Sequence, residues 1–313
     1  MPVIYFVVPC YNEEEVLPET NRRLLIKLNR LIDSGRADEK SRILYIDDGS
    51  RDKTWDIIMG FHSECESVCG LKLAHNAGHQ NALLAGLMTA REHADCAISL
   101  DADLQDDIDV LDEFVDRYKE GCEVVYGVRN KRESDTFFKR FTAQGFYKFM
   151  KYLGVDIIYN HADYRLMGKN ALNALQDYKE VNLFLRGIVP LIGYKSGVVY
   201  YNRSERLVGE SKYPLKKMIS FALDGITSFS VKPLRIISNL GILISLLSVV
   251  GILYALISYI AGVAVPGWTA IVASIWLIGG IQLLCIGVVG GYIGKIYSEV
   301  KSRPRYNIEE FLN

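Results

Sequence analysis

Over the first two hundred residues, short apolar runs alternate with stretches in which apolar positions recur every three or four residues. The run Val3–Pro9 ("VIYFVVP") is almost continuously apolar and predicts a strand covered on both faces. From Glu13 to Leu31, the positions Val16, Leu17, Leu24, Leu25, Leu28 and Leu31 keep helical spacing. Arg42–Ser50 predicts a second strand ending in a turn, and Asp52–Phe61 a short helix capped by Ser50 or Asp52. Gly70–Asn76 predicts a third strand and His79–Glu92 a helix rich in small residues. Cys96–Asp101 predicts a fourth strand, Asp109–Gly121 a helix stopped by Gly121, and Glu123–Arg129 a fifth strand. This β-α-β-α order predicts an α/β fold, a mostly parallel sheet with helices on both faces. Ligands of such sheets bind at the carboxyl ends of the strands.

The pattern changes near residue 236. From Ile236 to Gly294 there is no Asp, Glu, Lys, Arg or His. A helix needs roughly 20 apolar residues to span a bilayer, so the stretch predicts two transmembrane helices, Ile236–Ile260 and Trp268–Gly294. Val265-Pro266-Gly267 supplies the break between them. A buried hairpin in a soluble core is the competing reading, but soluble cores rarely hold two uncharged stretches of this length. Just upstream, Tyr213–Phe229 places Leu215, Met218, Ile219, Ala222, Leu223, Ile226 and Phe229 at helical spacing, opposite Lys216 and Lys217. This segment predicts an amphipathic helix lying in the membrane interface. Gly287, Gly290, Gly291 and Gly294 form a small-residue face suited to close helix contact, including assembly into a homo-oligomer. The expected organisation is a catalytic domain over 1–212, an amphipathic region over 213–235, a transmembrane hairpin over 236–294 and a basic tail over 295–313.

Charge then orients the hairpin. Between Arg203 and Arg235 seven Lys/Arg face three acids, and Lys295, Lys301, Arg303 and Arg305 follow the second span. The positive-inside rule places both termini and the catalytic domain in the cytoplasm. Met1 leads directly into the first apolar run without a basic n-region or cleavage site, so a signal peptide is not expected. Net charge is −1, which argues against nucleic acid as a partner. The six cysteines show no paired metal-binding spacing and fit reduced, cytosolic thiols.

Polar residues gather where the predicted strands end. Tyr11, Asn12 and Glu13 follow the first, Asp47 and Asp48 the second, Asp101 and Asp103 the fourth, and Arg129 and Arg132 the fifth. The stretch "DADLQDD" sets Asp101, Asp103, Asp106 and Asp107 within seven residues. Asp101 and Asp103 make a hard oxygen site for Mg²⁺ or Mn²⁺, and the cation relieves their mutual repulsion. Gln105 adds a neutral oxygen. Asp106 and Asp107 are expected to open the following helix, where acids meet its positive end. Helix capping is the bland reading of Asp101 and Asp103. There is no P-loop and no G-x-G-x-x-G, so neither a P-loop phosphate site nor a nicotinamide dinucleotide is expected.

Five stretches in order, "VVPCYNEEE", "IDDGSRDKT", "DADLQDD", "HADYRLM" and "RLVGESKYPL", resemble family 2 glycosyltransferases. More narrowly, they resemble polyprenyl-phosphate glycosyltransferases of the dolichol-phosphate-mannose-synthase-like, bactoprenol glucosyltransferase type. The resemblance covers nearly the whole chain. It implies a GT-A, Rossmann-like fold. It also implies a nucleoside pocket lined by Pro9, Tyr11, Glu13, Asp47 and Asp48, and a metal and diphosphate site of Asp101, Asp103 and Gln105. Asp163 would stand beside the acceptor phosphate or the sugar. Arg129, Arg132, Arg206 and Lys212 would bind phosphates, with Arg206 also serving catalysis. The implied reaction is inverting transfer of one sugar, from UDP-glucose or UDP-N-acetylglucosamine, to undecaprenyl phosphate at the cytoplasmic face of a bacterial inner membrane. A lipid phosphate is already an anionic nucleophile, so Asp163 would orient groups or stabilise the sugar cation rather than remove a proton. Its bland reading is a structural partner of Arg165.

Two departures stand out. His79 replaces a basic residue common in relatives, and reads either as a weaker donor or as a surface histidine. Arg186, in "NLFLRGIVP", lacks the Trp-bearing acceptor motif of processive polysaccharide synthases, which favours transfer of a single sugar. The alternatives are a short polysaccharide synthase and a non-catalytic membrane partner with a transferase-like domain.

Overall fold

The computed structural model describes residues 1–130, 161–181, 183–202, 232–260 and 267–313, and these fall into two units. The first unit contains the described residues up to 202 together with 303–313. The second contains two long helices.

In the first unit the opening apolar run becomes β1 (Ile4–Cys10), with every residue buried. It pairs in parallel with β2 (Arg42–Asp47) on one side and β4 (Cys96–Ser99) on the other, and β2 pairs in parallel with β3 (Val68–Leu73). β5 (Val124–Arg129) and β7 (Ser196–Tyr201) are also parallel. Two strands run the other way: β6 (His161–Gly168), between β4 and β5, and β8 (Ile308–Leu312), on the outer edge of β3. The order is β7-β5-β6-β4-β1-β2-β3-β8. The sheet is therefore mostly parallel, as expected, and the fold is the GT-A-like α/β arrangement. Pro9, in a central strand, lies beyond the last β1–β4 pair, Val7↔Ser99. Its missing N–H thus falls where the ladder on that side has already ended.

Helices cover both faces. α1 (Leu17–Asp33) buries Leu17, Leu24, Leu28 and Leu31 against the even-numbered residues of β1, beside α2 (Thr54–Glu64). α1 starts later than the expected Glu13. Pro18 lacks an N–H and is tolerated only in a first turn, so Glu13–Val16 form a turn instead, with the Glu13 carbonyl accepting from Val16 and Leu17. α2 lacks a cap on its own N-terminal residue, but the Asp52 carboxylate accepts from Thr54 N at 3.1 Å, the role expected of it. On the opposite face lies α3 (His79–His93). A Cβ on its Gly86 would come within 2.5 Å of Ile46 Cδ1 and Val7 Cγ1, so the small residues of α3 let it lie directly on the sheet. A 3₁₀ turn (Ile108–Val110) leads into α4 (Leu111–Lys119), while α5 (Lys169–Gln176) and α6 (Leu185–Leu191) follow β6.

The segment 295–313, expected as a basic tail, carries regular structure. Its first part continues a helix to Lys301, and its last part is β8, which closes the β3 edge. Lys72 pairs with Glu309 at 3.0 Å, and the ring of Phe311 lies 5.8 Å from that of His93. The charged pair Glu309 and Glu310 in "IEEFL" suits an exposed edge strand.

The second unit consists of α7 (Lys232–Ile260) and α8 (Trp268–Lys301). They enclose the two expected spans. Among the described residues one stretch, Leu277–Lys301, is long and apolar enough to cross a membrane. Its apolar side chains are exposed, Leu283 by 72% and Leu284 by 69%. A Cβ added at Gly287, Gly290, Gly291 or Gly294 would meet no described atom within 4 Å. The expected amphipathic helix (Tyr213–Phe229) and most of the Val265–Gly267 turn lie outside the described residues.

Candidate active site

The strand order reverses at β1: β2, β3 and β8 lie to one side, β4, β6, β5 and β7 to the other. The crevice beyond the carboxyl ends of β1 and β4 is thus the topological switch point, where such sheets bind ligands. β6 runs antiparallel, so its first residues lie on that same rim. The pairing Ser99↔Arg165 sets Asp163 beside the exit of β4.

On the β1–β2 side two loops are stitched together. Asn12 N donates to Ser50 Oγ (3.0 Å) and Glu13 N to Thr54 Oγ1 (2.9 Å), while Asn12 Oδ1 accepts from Arg51 N (2.9 Å). Asn12 adopts φ +54, a conformation its side chain tolerates. Tyr11 projects from this platform, 42% exposed. Asp47 is buried: one carboxylate oxygen accepts from Ser50 N, and the other has no hydrogen-bond partner among the described residues. Burial pushes its carboxyl up despite the Ser50 hydrogen bonds. An orphaned buried acceptor at the rim fits the N–H donor of a nucleobase. Asp48 is used differently, for both its oxygens hold backbone, Ala77 N at 2.7 Å and Gly78 N at 3.0 Å. Between these loops Gly49 has φ +65, and a Cβ there would lie 2.7 Å from Asn76 N. Asp48 is therefore the clamp that joins the loop after β2 to the one before α3.

The "DADLQDD" loop follows β4. Ala102 and Leu104 are buried in the core, whereas Asp101 and Asp103 are half-buried. Leu104 holds φ +49, a strained conformation for this residue, costing about 1 kcal/mol or more. Thr20 Oγ1 anchors the loop from α1 by donating to the Ala102 carbonyl at 2.6 Å. Asp103 Oδ1 accepts from the backbone N of Gln105, which is itself buried. Burial, opposed by His79 but reinforced by Asp106, Asp163 and Asp103, pushes the Asp101 carboxyl up to about 6. That excess of negative charge fits a divalent cation. Among the described residues no three His, Cys, Asp or Glu side chains converge to hold one, so the carboxylate pair would leave most of the coordination shell to a ligand.

The expectation that Asp106 and Asp107 both open the next helix is corrected for Asp106. Asp107 does so, accepting from Asp109 N at 2.9 Å. Asp106 is buried instead, with Tyr201 Oη 2.5 Å and Arg129 Nη2 3.3 Å from its Oδ1. Arg129 also donates to Tyr201 Oη at 3.0 Å. Arg129 thus reaches the rim already paired with one counter-charge.

The densest cluster surrounds Asp163. Alternation on β6 sends Asp163 and Arg165 to one face and Tyr164 to the other. Asp163 Oδ1 pairs with the buried Arg165, and Oδ2 accepts from Arg186 (Nη2 3.0 Å, Nε 3.3 Å) and from Gln80 Nε2 (3.2 Å). Burial alone would raise the Asp163 carboxyl; Arg165 and Arg186 outweigh it and hold it well below the usual carboxylate range. His79 Nε2 lies 3.8 Å from both Asp101 Oδ1 and Asp163 Oδ2, between the two carboxylates.

The structure thus brings together Pro9, Tyr11, Glu13, Asp47, Asp101, Asp103, Gln105, Arg129 and Asp163 on one rim. Arg132, Arg206 and Lys212 lie outside the described residues. Sequence reasoning assigned no role to Gln80 or Tyr201. Gln80 was discoverable, as a polar residue in the first turn of a helix pointing at a strand end.

Residues 5–176 match the family model described as Glycosyl transferase family 2. The uncharacterised glycosyltransferase YkoT of Bacillus subtilis (strain 168) is 54% identical over 308 residues, covering 98% of this chain and 91% of its own. A prophage bactoprenol glucosyl transferase homolog of Escherichia coli (strain K12) is 38% identical, covering 98% of each chain. The bactoprenol glucosyl transferase of Shigella phage SfII is 37% identical, covering 98% of this chain and 97% of its own.

Proposed function

Since the chain belongs to glycosyl transferase family 2, we propose that it transfers a single sugar from a UDP-sugar, glucose or N-acetylglucosamine, to undecaprenyl phosphate at the cytoplasmic membrane face. The observation that carries this reading is the order of chemistry along one rim. The orphaned Asp47 oxygen stands at β2, the Asp101–Asp103 pair at β4, and the Asp163 cluster at β6. A nucleoside, a diphosphate and an acceptor would lie in that sequence. The names of the two bactoprenol relatives support the lipid and favour glucose. The exposed apolar surface of Leu277–Lys301 supports a membrane site for such a substrate, within a two-span hairpin that leaves both termini cytoplasmic.

In this reading an oxygen of the acceptor phosphate attacks the anomeric carbon. The bond from that carbon to the diphosphate oxygen breaks, UDP departs with the electron pair, and the configuration inverts. Asp101, Asp103 and Gln105 would hold Mg²⁺ or Mn²⁺, which supplies charge neutralisation at the leaving diphosphate. Asp47, Tyr11 and the stitched loops orient the nucleoside. Arg129, with Arg132, Arg206 and Lys212, adds positive charge around the phosphates. Asp163, doubly paired with arginines, stays ionised and holds its neighbours in place; it does not take a proton.

The test is a panel of radiolabelled UDP-sugars supplied to the purified full chain in detergent with undecaprenyl phosphate. One labelled lipid bearing one sugar is expected. A ladder of longer products would instead identify a polysaccharide synthase, and the absence of UDP release with every donor would identify a non-catalytic protein.

A further inference from the structure

The Asp163–Arg165 pair is neutral and buried, with side chains 5% and 1% exposed. Arg186 sits on the other oxygen of the carboxylate and keeps 34% of its side chain exposed, so Asp163, Arg165 and Arg186 taken together carry one net positive charge. A guanidinium carries five N–H groups. Nε and Nη2 are turned to Asp163 Oδ2, and among the described residues the other N–H groups meet no acceptor.

Arg186 is also held firmly. Gln80 donates to the same Asp163 oxygen (3.2 Å) and accepts from Leu185 N (3.1 Å). One side chain thus fixes both the carboxylate that grips Arg186 and the backbone just before it. Such an arrangement pays little entropy when an anion arrives.

We infer that Arg186 is a phosphate-binding residue, its guanidinium positioned by Asp163 and Gln80 to receive the terminal phosphate of the acceptor lipid. The inference rests on the transfer proposed above. Rim order decides between the two phosphate sources. β2 and β1 carry the nucleoside side, β4 the diphosphate side, and Arg186 belongs to the β6 cluster beyond it. Donor diphosphate is the other source, and its binding forms the second arm of the test.

The experiment compares wild-type full-length protein in detergent with Arg186→Gln and Arg186→Lys. Transfer kinetics are measured against each substrate, binding of UDP and of undecaprenyl phosphate is measured separately, and thermal unfolding is recorded. For Arg186→Gln we expect the KM for undecaprenyl phosphate, and its dissociation constant, to rise roughly 10- to 100-fold, the span of one or two charge-assisted hydrogen bonds. UDP affinity should change less than about twofold, because this arginine lies away from the nucleoside. Lysine should restore part of the loss. Weakened UDP binding with unchanged lipid binding would overturn the assignment in favour of the donor diphosphate. Equal loss of both, together with a large fall in unfolding temperature for the Gln and Lys variants alike, would reduce Arg186 to a structural counter-charge. Wild-type protein that binds the lipid phosphate yet transfers no sugar would refute the transfer reading and leave Arg186 judged by binding alone. Wild-type protein that does not bind the lipid phosphate would refute both.

Discussion

At the scale of single residues, three aspartates on one rim carry opposite expectations. Asp103 is half-buried and takes no part in the hydrophobic core. Asp103→Ala should lower transfer at least about 100-fold with little change in circular dichroism or unfolding temperature. EDTA should reproduce that loss in wild type, and Mg²⁺ or Mn²⁺ should reverse it; full activity in EDTA would dismiss the metal site. Asp101 behaves otherwise. Its folded-state carboxyl titrates near 6, above the ordinary value of about 3.9, so ionisation destabilises the folded chain. Metal-free wild type should therefore gain stability as pH falls through about 6 towards 4. Asp101→Asn should lose that slope and melt higher at pH 7.5. The side chain is 38% exposed, so water trims the gain to about 1 kcal/mol or less. Asp163 is the reverse case. Its stabilisation is present above the unfolded value of about 3.9 and is lost only as pH falls towards a much lower folded value. Asp163→Asn strands the buried Arg165 and should cost about 3 kcal/mol or more, seen as a lower urea midpoint. Sequence reasoning found all three residues, because an acid after an apolar run is a visible signal. It could not separate their roles, since those depend on the side chains each one meets in the fold, as where Gln80 reaches Asp163 from another element.

At the scale of elements, legibility followed symmetry of burial. β1, β2 and β4 are covered on both faces and read as apolar runs. α1 read as a helix, although only Pro18 reveals where it starts. β6 was seen as a motif and not as a strand. In "HADYRLMG" it carries Asp163 and Arg165 inward as a buried ion pair, so its polar residues do not mark a wet face. β8 was read as part of a tail because the basic residues just before it, Lys295, Lys301, Arg303 and Arg305, dominate the segment. Deleting Arg303–Asn313 removes the cover from β3 and the Arg305 hydrogen bond to the Tyr178 carbonyl. The shortened chain should unfold several degrees lower and aggregate on size-exclusion chromatography, as an open strand edge invites. A monodisperse sample with unchanged melting would show that β8 is dispensable.

At the scale of the whole molecule, one chain combines a water-facing α/β unit with helices whose apolar side chains have no polar counterpart over most of their length. Composition made that division legible, because the loss of charge after Arg235 is abrupt. The chain should remain in membranes through an alkaline carbonate wash. Replacing Leu283 and Leu284 by lysine, each worth about 3 kcal/mol at the centre of a span, should release a measurable fraction into the supernatant.

β8 also imposes a timetable. Translation delivers β3 early, but the partner for its outer edge is made only after α7 and α8. Throughout that interval the nascent sheet offers an unpaired row of N–H and C=O groups. A ribosome that stalls anywhere between Lys232 and Lys301 therefore holds a chain whose long apolar helices are under way while its α/β sheet is still unsealed.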